Sequence, residues 1–162
     1  MTDYKALVRA LIDGGVEFIL VGGMAAAVHG ASRLTLDVDV LYRRSADNLR
    51  RLVAALAPHH PYLRGAPPGL PFRWDVATVE RGLNFTLTTN VGDLDILGEI
   101  VGGDYEALRD GTVTIQLYGV ECRCLDLETL IRVKRATGRP KDLEAVAELE
   151  ALLEERRRTG GR

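Results

Sequence analysis

The sequence has only two cysteines, Cys122 and Cys124, in 162 residues. That is too few for a disulfide-built secreted domain. With three histidines, His29, His59 and His60, they form no zinc-binding spacing. The reading is a reduced, cytoplasmic protein. Aromatic residues make up 6% of the chain, which argues against a stacking platform for single-stranded nucleic acid. The longest apolar run, residues 18–28, is bounded by Glu17 and His29. A transmembrane helix needs about 20 apolar residues, so this run is a buried element. The opening MTDYKALVRALIDGG lacks the basic-then-apolar order of a signal peptide, and no membrane partner is expected. Basic charge is lacking as well. The net charge is −2, whereas binding nucleic acid by broad neutralisation calls for a basic protein. Any phosphate must be held locally or through metal ions.

What remains is a globular composition, 46% hydrophobic and 27% charged, with a mean hydropathy of −0.01. At about 150 residues per domain this is one domain over residues 1–162. Its core spans about 4–125 and its C-terminal helices about 126–158. Apolar spacing predicts a helix over residues 4–12, ended by Asp13-Gly14-Gly15. Residues 18–21 read as a buried strand. Gly22-Gly23 then forms a junction before a helix over 24–28, which His29-Gly30 ends. A strand over 36–42 precedes a helix over 47–56 with Ser45 as its cap. Residues 58–71, PHHPYLRGAPPGLP, are rich in proline and glycine, without periodicity, and read as a loop. A short helix over 76–81 follows, and Phe72 and Trp74 read as local core. Strands at 84–89 and 93–97 flank a turn at Asn90-Val91-Gly92. A second hairpin joins 112–118 to 121–125 around Gly119. Asp126 caps a helix to about 136, Gly138 stops it, and Pro140 opens a last helix to 158. Interleaved helices and two hairpins predict an α+β (mixed α/β) fold with a mixed sheet. The acidic residues lie on one face, helices pack on the other, and a C-terminal helical hairpin follows.

The chemistry concentrates in three places. Asp37-Val38-Asp39 lies in an apolar strand, and residues two apart share a face. Two like charges so placed resist joint ionisation. A divalent cation between them removes that cost, and an oxygen-only ligand set suits magnesium. Gly22-Gly23, between a strand and a helix, fits either a plain tight turn or a close phosphate approach to helical N–H groups. Asp95 is a third carboxylate among apolar neighbours. If its strand lies beside the first acidic strand, three carboxylates converge, as a two-metal transfer site requires. Asp93 shares the face of Asp95 but reads as solvated beside Gly92. His29 reads as a helix-end residue, where a cation suits the dipole.

VGGMAAAVHGASRLTLDVDVL followed by GDLDIL resembles the DNA polymerase β-type nucleotidyltransferase superfamily. LETLIRVKRATGRPKDLEAV is similar to small bacterial AbiEii-like nucleotidyltransferases of type IV toxin–antitoxin systems. The resemblance covers residues 17–42, 84–98 and 126–149. It implies a minimal nucleotidyltransferase fold in which Asp37 and Asp39 bind a catalytic magnesium pair. Asp95 would complete the site and help activate the attacking hydroxyl. Gly22 and Gly23 would approach the triphosphate, and Lys134 would contact phosphate. Arg33 and Thr35 are phosphate candidates by position alone. Lys134, with Arg132 and Arg135, fits a solvated helical face equally well. The expected reaction moves a nucleoside monophosphate from an NTP to a hydroxyl of an RNA or protein acceptor, alongside a cognate toxin or antitoxin partner. Little chain remains for an acceptor-binding wall, which a homodimer would supply. An antibiotic-modifying nucleotidyltransferase and a non-catalytic NTP-binding or antitoxin-type module are the alternatives.

Overall fold

The computed structural model describes residues 2–32 and 37–160. Helix α1 (Tyr4–Asp13) is capped by Asp3, whose carboxylate accepts the Ala6 N–H at 2.9 Å, and it buries Leu7, Val8 and Leu11. Strand β1 (Phe18–Val21) is buried along its whole length. It passes directly into α2 (Gly22–Val28). The glycine pair therefore forms the first turn of the helix rather than a junction before it. Strand β2 (Asp37–Tyr42) alternates between half-buried Asp37 and Asp39 and fully buried Val38 and Val40. Helix α3 (Ala46–Leu56) has Ser45 as its cap, accepting the Asn48 N–H. The buried Asn48 side chain accepts the Glu17 N–H at 2.7 Å and donates to the Glu17 and Arg43 carbonyls, tying α3 to the ends of β1 and β2.

Residues 58–71, expected to be a loop throughout, contain the end of a 3-10 turn (Ala57–His59) and a strand, β3 (Tyr62–Leu63). Two residues are too few for alternation to be read from sequence. Helix α4 (Val76–Arg81) is capped by Asp75. Phe72 and Trp74 pack against the core as expected, and Trp74 donates its indole N–H to the Val53 carbonyl. Strands β4 (Asn84–Thr89) and β5 (Gly92–Leu97) form the central hairpin. A small hairpin, β6 (Glu99–Ile100) and β7 (Gly103–Asp104), and a one-turn helix, α5 (Tyr105–Leu108), fill a stretch with no readable periodicity. Strands β8 (Thr112–Leu117) and β9 (Val120–Leu125) turn at Tyr118 and Gly119, both at positive φ. Helix α6 (Leu127–Thr137) starts at its Asp126 cap and ends at Gly138 in the left-handed conformation. Helix α7 (Pro140–Arg158) carries its proline in the first turn.

The main sheet has seven strands in the order β3-β4-β5-β2-β1-β9-β8. It is mixed, as expected: β2 with β5 and β1 with β9 are parallel, and the other pairs are antiparallel. Alternation gives it two unlike faces. Val38, Val40, Leu94 and Ile96 are fully buried on the face that α1 covers, with α3 packed against α1. Each such residue contributes about 1.5–3 kcal/mol by leaving water. The opposite face carries Asp37, Asp39, Asp93 and Asp95. There α2 packs on β1 and β2, and α6 packs on α2 and α7, so helices flank the acidic face as well as the apolar one, whereas the sequence predicts them on one face only. Cys122 and Cys124 lie on one face of β9, and burial pushes both thiols up to about 12. Among the described residues no helix is long and apolar enough to cross a membrane.

Candidate active site

Parallel pairing sets Asp37 opposite Asp93 and Asp39 opposite Asp95. An alternating acid pattern on each of two in-register strands becomes a two-by-two block of carboxylates on one face. Asp37, Asp39 and Asp95 each offer an oxygen, and these oxygens lie within 4.8 Å of one another. Asp39 sits deepest. Burial, then the Asp37 and Asp95 charges, push its carboxyl up to about 8 against a partial offset by Lys134. The fold thus favours the protonated form of this carboxyl, and a cation joining the cluster would remove the cost of ionising it. Its Oδ1 is buried without a hydrogen-bond partner among the described residues. Burial also raises Asp95, against the pull of Arg64.

The space beside Asp39 exists because residue 22 is glycine. Gly22 has φ +63°, and a Cβ there would stand 2.1 Å from Asp39 Oδ2. A cavity of about 270 Å³ opens between this turn and the C-terminal helices, lined by Gly22, Gly23, Asp37, Asp39, Lys134 and Arg139 among others. Arg139 donates to buried Asp142 at 2.6 Å, bracing the turn between α6 and α7.

Residues 1–159 match the family described as nucleotidyl transferase of unknown function (DUF2204). The chain belongs to this family. Three solved structures share the fold of this nucleotidyltransferase. The lincosamide antibiotic adenylyltransferase LnuA, bound to lincomycin, is 15% identical, with 93% of this chain and 98% of that one covered at a TM-score of 0.62. An antigenic nucleotidyltransferase-like protein from Paracoccidioides brasiliensis is 13% identical, with 93% and 73% covered at 0.57. A Thermotoga maritima protein assigned as a nucleotidyltransferase is 15% identical, with 96% of each chain covered at 0.58. A search of curated proteins gives no match.

Of the residues singled out in the sequence, Asp37, Asp39, Asp95, Gly22, Gly23 and Lys134 gather around one cavity and its acidic floor. Lys134 turns toward Asp39, whereas Arg132 and Arg135 on the same helix are exposed. Arg33 and Thr35 lie outside the described residues. His29 is at the end of α2 as expected, but it is not a cation there. Burial lowers its basicity, its Nε2 donates to the Leu125 carbonyl at 2.7 Å, and its Nδ1 faces the Arg156 guanidinium at 3.0 Å. Asp93 is the most exposed of the four acids at 38%, yet it faces Arg64 at 3.5 Å instead of standing alone in solvent.

Arg64 itself escaped the sequence reading. It follows β3 and reaches across the hairpin to the acids. Its Nη2 donates to Asp95 Oδ1 at 2.8 Å and to the Leu87 carbonyl at 2.7 Å. Its Nη1 stands 3.5 Å from Asp37 Oδ2. The only sequence signal was an isolated cation within the Pro/Gly-rich segment.

Proposed function

We propose that this nucleotidyltransferase works in the cytoplasm as a magnesium-dependent enzyme. It would move a nucleoside monophosphate from an NTP to a hydroxyl of an RNA or protein, in a toxin–antitoxin-like setting. The observation that carries the reading is the cluster of three carboxylates, with oxygens within 4.8 Å, on adjacent parallel strands. Such a cluster fits hard divalent cations. The unpartnered Asp39 Oδ1 and the clearance that Gly22 leaves beside Asp39 support the same fit. Asp37, Asp39 and Asp95 would hold the ions. When bound, two magnesium ions would neutralise the triphosphate and polarise the transferred phosphoryl group.

The chain's own residues would position the reactants. Gly22 and Gly23 let phosphate oxygens approach the backbone at the α2 turn. Lys134, across the same cavity, would pair with the phosphates as a point charge. Asp95 would accept the proton of the acceptor hydroxyl as its oxygen bonds to the α-phosphorus. The bond from the α-phosphorus to the bridging oxygen breaks, and pyrophosphate leaves. Phosphoryl-type transfer depends mainly on positioning and charge neutralisation, so these groups suffice. Arg33 and Thr35 remain phosphate candidates by position alone.

The test is incubation with each α-labelled NTP, total RNA and cell extract, with and without chelator. Magnesium-dependent label in an RNA or protein band supports the reading. NTP binding with no labelled product contradicts it and favours a non-catalytic binding module. The fold shared with a lincosamide adenylyltransferase, at 15% identity, motivates a third arm. Pyrophosphate release that depends on an added lincosamide or aminoglycoside would assign the alternative, antibiotic-modifying activity.

A further inference from the structure

We propose that Arg64 is the site's own counter-ion, sharing the oxygens of Asp37 and Asp95 with any divalent cation that binds there. Cation binding and the Arg64 contacts then oppose each other. The inference deepens the metal-binding reading above and rests on it.

The guanidinium is placed among three of the four acids. It lies 2.8 Å from Asp95 Oδ1, 3.5 Å from Asp37 Oδ2 and 3.5 Å from Asp93 Oδ2. Two of those carboxylates belong to the cluster whose oxygens converge. Arginine cannot shed its charge by deprotonation. Its positive charge therefore persists beside an incoming cation, and the ion must either displace it or bear the repulsion.

The hold on Arg64 suits displacement. Among its contacts with the acids, only that with Asp95 has the length of a strong charge-assisted hydrogen bond; the 2.7 Å bond to the Leu87 carbonyl is independent of the acids and can hold the guanidinium at the site's edge when they turn to a cation. The two at 3.5 Å are loose ion pairs, and the buried Nε lacks a hydrogen-bond partner among the described residues. The arm is a two-residue strand. β3 pairs with β4 through Tyr62 and Leu63, and the Arg64 N–H donates to the Thr86 carbonyl. The ion pairs of Arg64 run to Asp37, Asp93 and Asp95, while the deepest acid, Asp39, keeps its Oδ1 without a hydrogen-bond partner among the described residues, so one ligand atom is already open. The consequence is selectivity for how the metal arrives. A bare cation meets the full opposition of Arg64, whereas a cation already neutralised by a triphosphate does not.

The test is titration of the full chain with Mn²⁺ alone, free ion being counted by electron paramagnetic resonance. A parallel titration includes a non-hydrolysable NTP. Arg64→Gln should bind Mn²⁺ alone at least about fivefold more tightly than wild type, and Arg64→Lys should stay near wild type. With the NTP analogue present, the difference should shrink. If Arg64→Gln leaves too much uncompensated acid to fold, the comparison moves to an Asp93→Asn background. There, adding Arg64→Gln should again tighten Mn²⁺ binding. Equal or weaker Mn²⁺ binding by Arg64→Gln, with wild type binding the ion normally, overturns the counter-ion role alone. Failure of every variant and of wild type to bind Mn²⁺, even with the NTP analogue, overturns the metal-binding reading and this inference with it.

Discussion

Replacing Asp39 with asparagine should make the protein more stable and at the same time inactive. The Asp39 carboxyl ordinarily titrates at 3.8 and is pushed up to about 8 in the fold, first by burial and then by Asp37 and Asp95. Between those two values the folded chain binds more protons than the unfolded chain. Stability therefore falls as pH rises from about 4 to about 8. At pH 7 the penalty is at most about 4 kcal/mol, at roughly 1.4 kcal/mol per pH unit. Solvent access and the shared interaction with Asp95 reduce it to about 2 kcal/mol. Asparagine has nearly the same shape and no charge to bury, so Asp39→Asn recovers that amount. In a chain of this length 2 kcal/mol corresponds to roughly 4–8 °C in Tm. The assay is thermal unfolding in chelator at half-unit steps from pH 4.5 to 8. The Tm gap in favour of the variant should open with rising pH. Magnesium should then raise the Tm of wild type and not that of the variant. A variant that melts at or below wild type at pH 7.5, or a gap that does not change with pH, would refute the reasoning.

Gly22→Ala should do the opposite. Its Cβ would stand 2.1 Å from Asp39 Oδ2 at φ +63°, so a loss of about 1–3 kcal/mol is expected and a urea midpoint reads it. Lys134→Ala should weaken NTP binding about tenfold and leave nucleoside binding unchanged. Calorimetry with both ligands checks this, and equal losses would remove Lys134 from the phosphates. His29 is lowered by burial below its ordinary 6.5. The unfolded chain therefore binds the extra proton first, and stability falls as pH drops below about 6.5. His29→Gln should flatten that acid limb in a melting series from pH 7 to 5.

The acids could be read from the sequence because alternation is local. Asp37, Asp39 and Asp95 each interrupt an apolar strand, and the shared face follows from the two-residue period. Their meeting was conditional on β2 lying beside β5, a parallel pairing between residues 56 positions apart (Asp37 with Asp93) that no local pattern specifies. The caps at Asp126 and Ser45 and the stop at Gly138 were legible because capping is chemistry of one or two residues. Gly22-Gly23 read as a junction because glycine disfavours helix interiors. The fold places the pair in the first turn, where the clearance to Asp39 excludes a side chain. Lys134 was ambiguous because Arg132 and Arg135 flank it. Burial of Leu130 and Ile131 fixes the rotation of α6 and turns Lys134 inward. Arg64 was invisible because β3 has two residues and its surroundings are proline and glycine. Its role arises from reaching across β4 to acids on another strand.

If the three carboxylates hold a divalent cation, they couple it to nucleotide binding. Calorimetric titration of wild type and Asp39→Asn with a non-hydrolysable NTP, with and without Mg²⁺, tests it most directly. Mg²⁺ should tighten NTP binding to wild type about tenfold or more and leave the affinity of the variant unchanged. The same Mg²⁺ dependence in both proteins, or none in wild type, would contradict it.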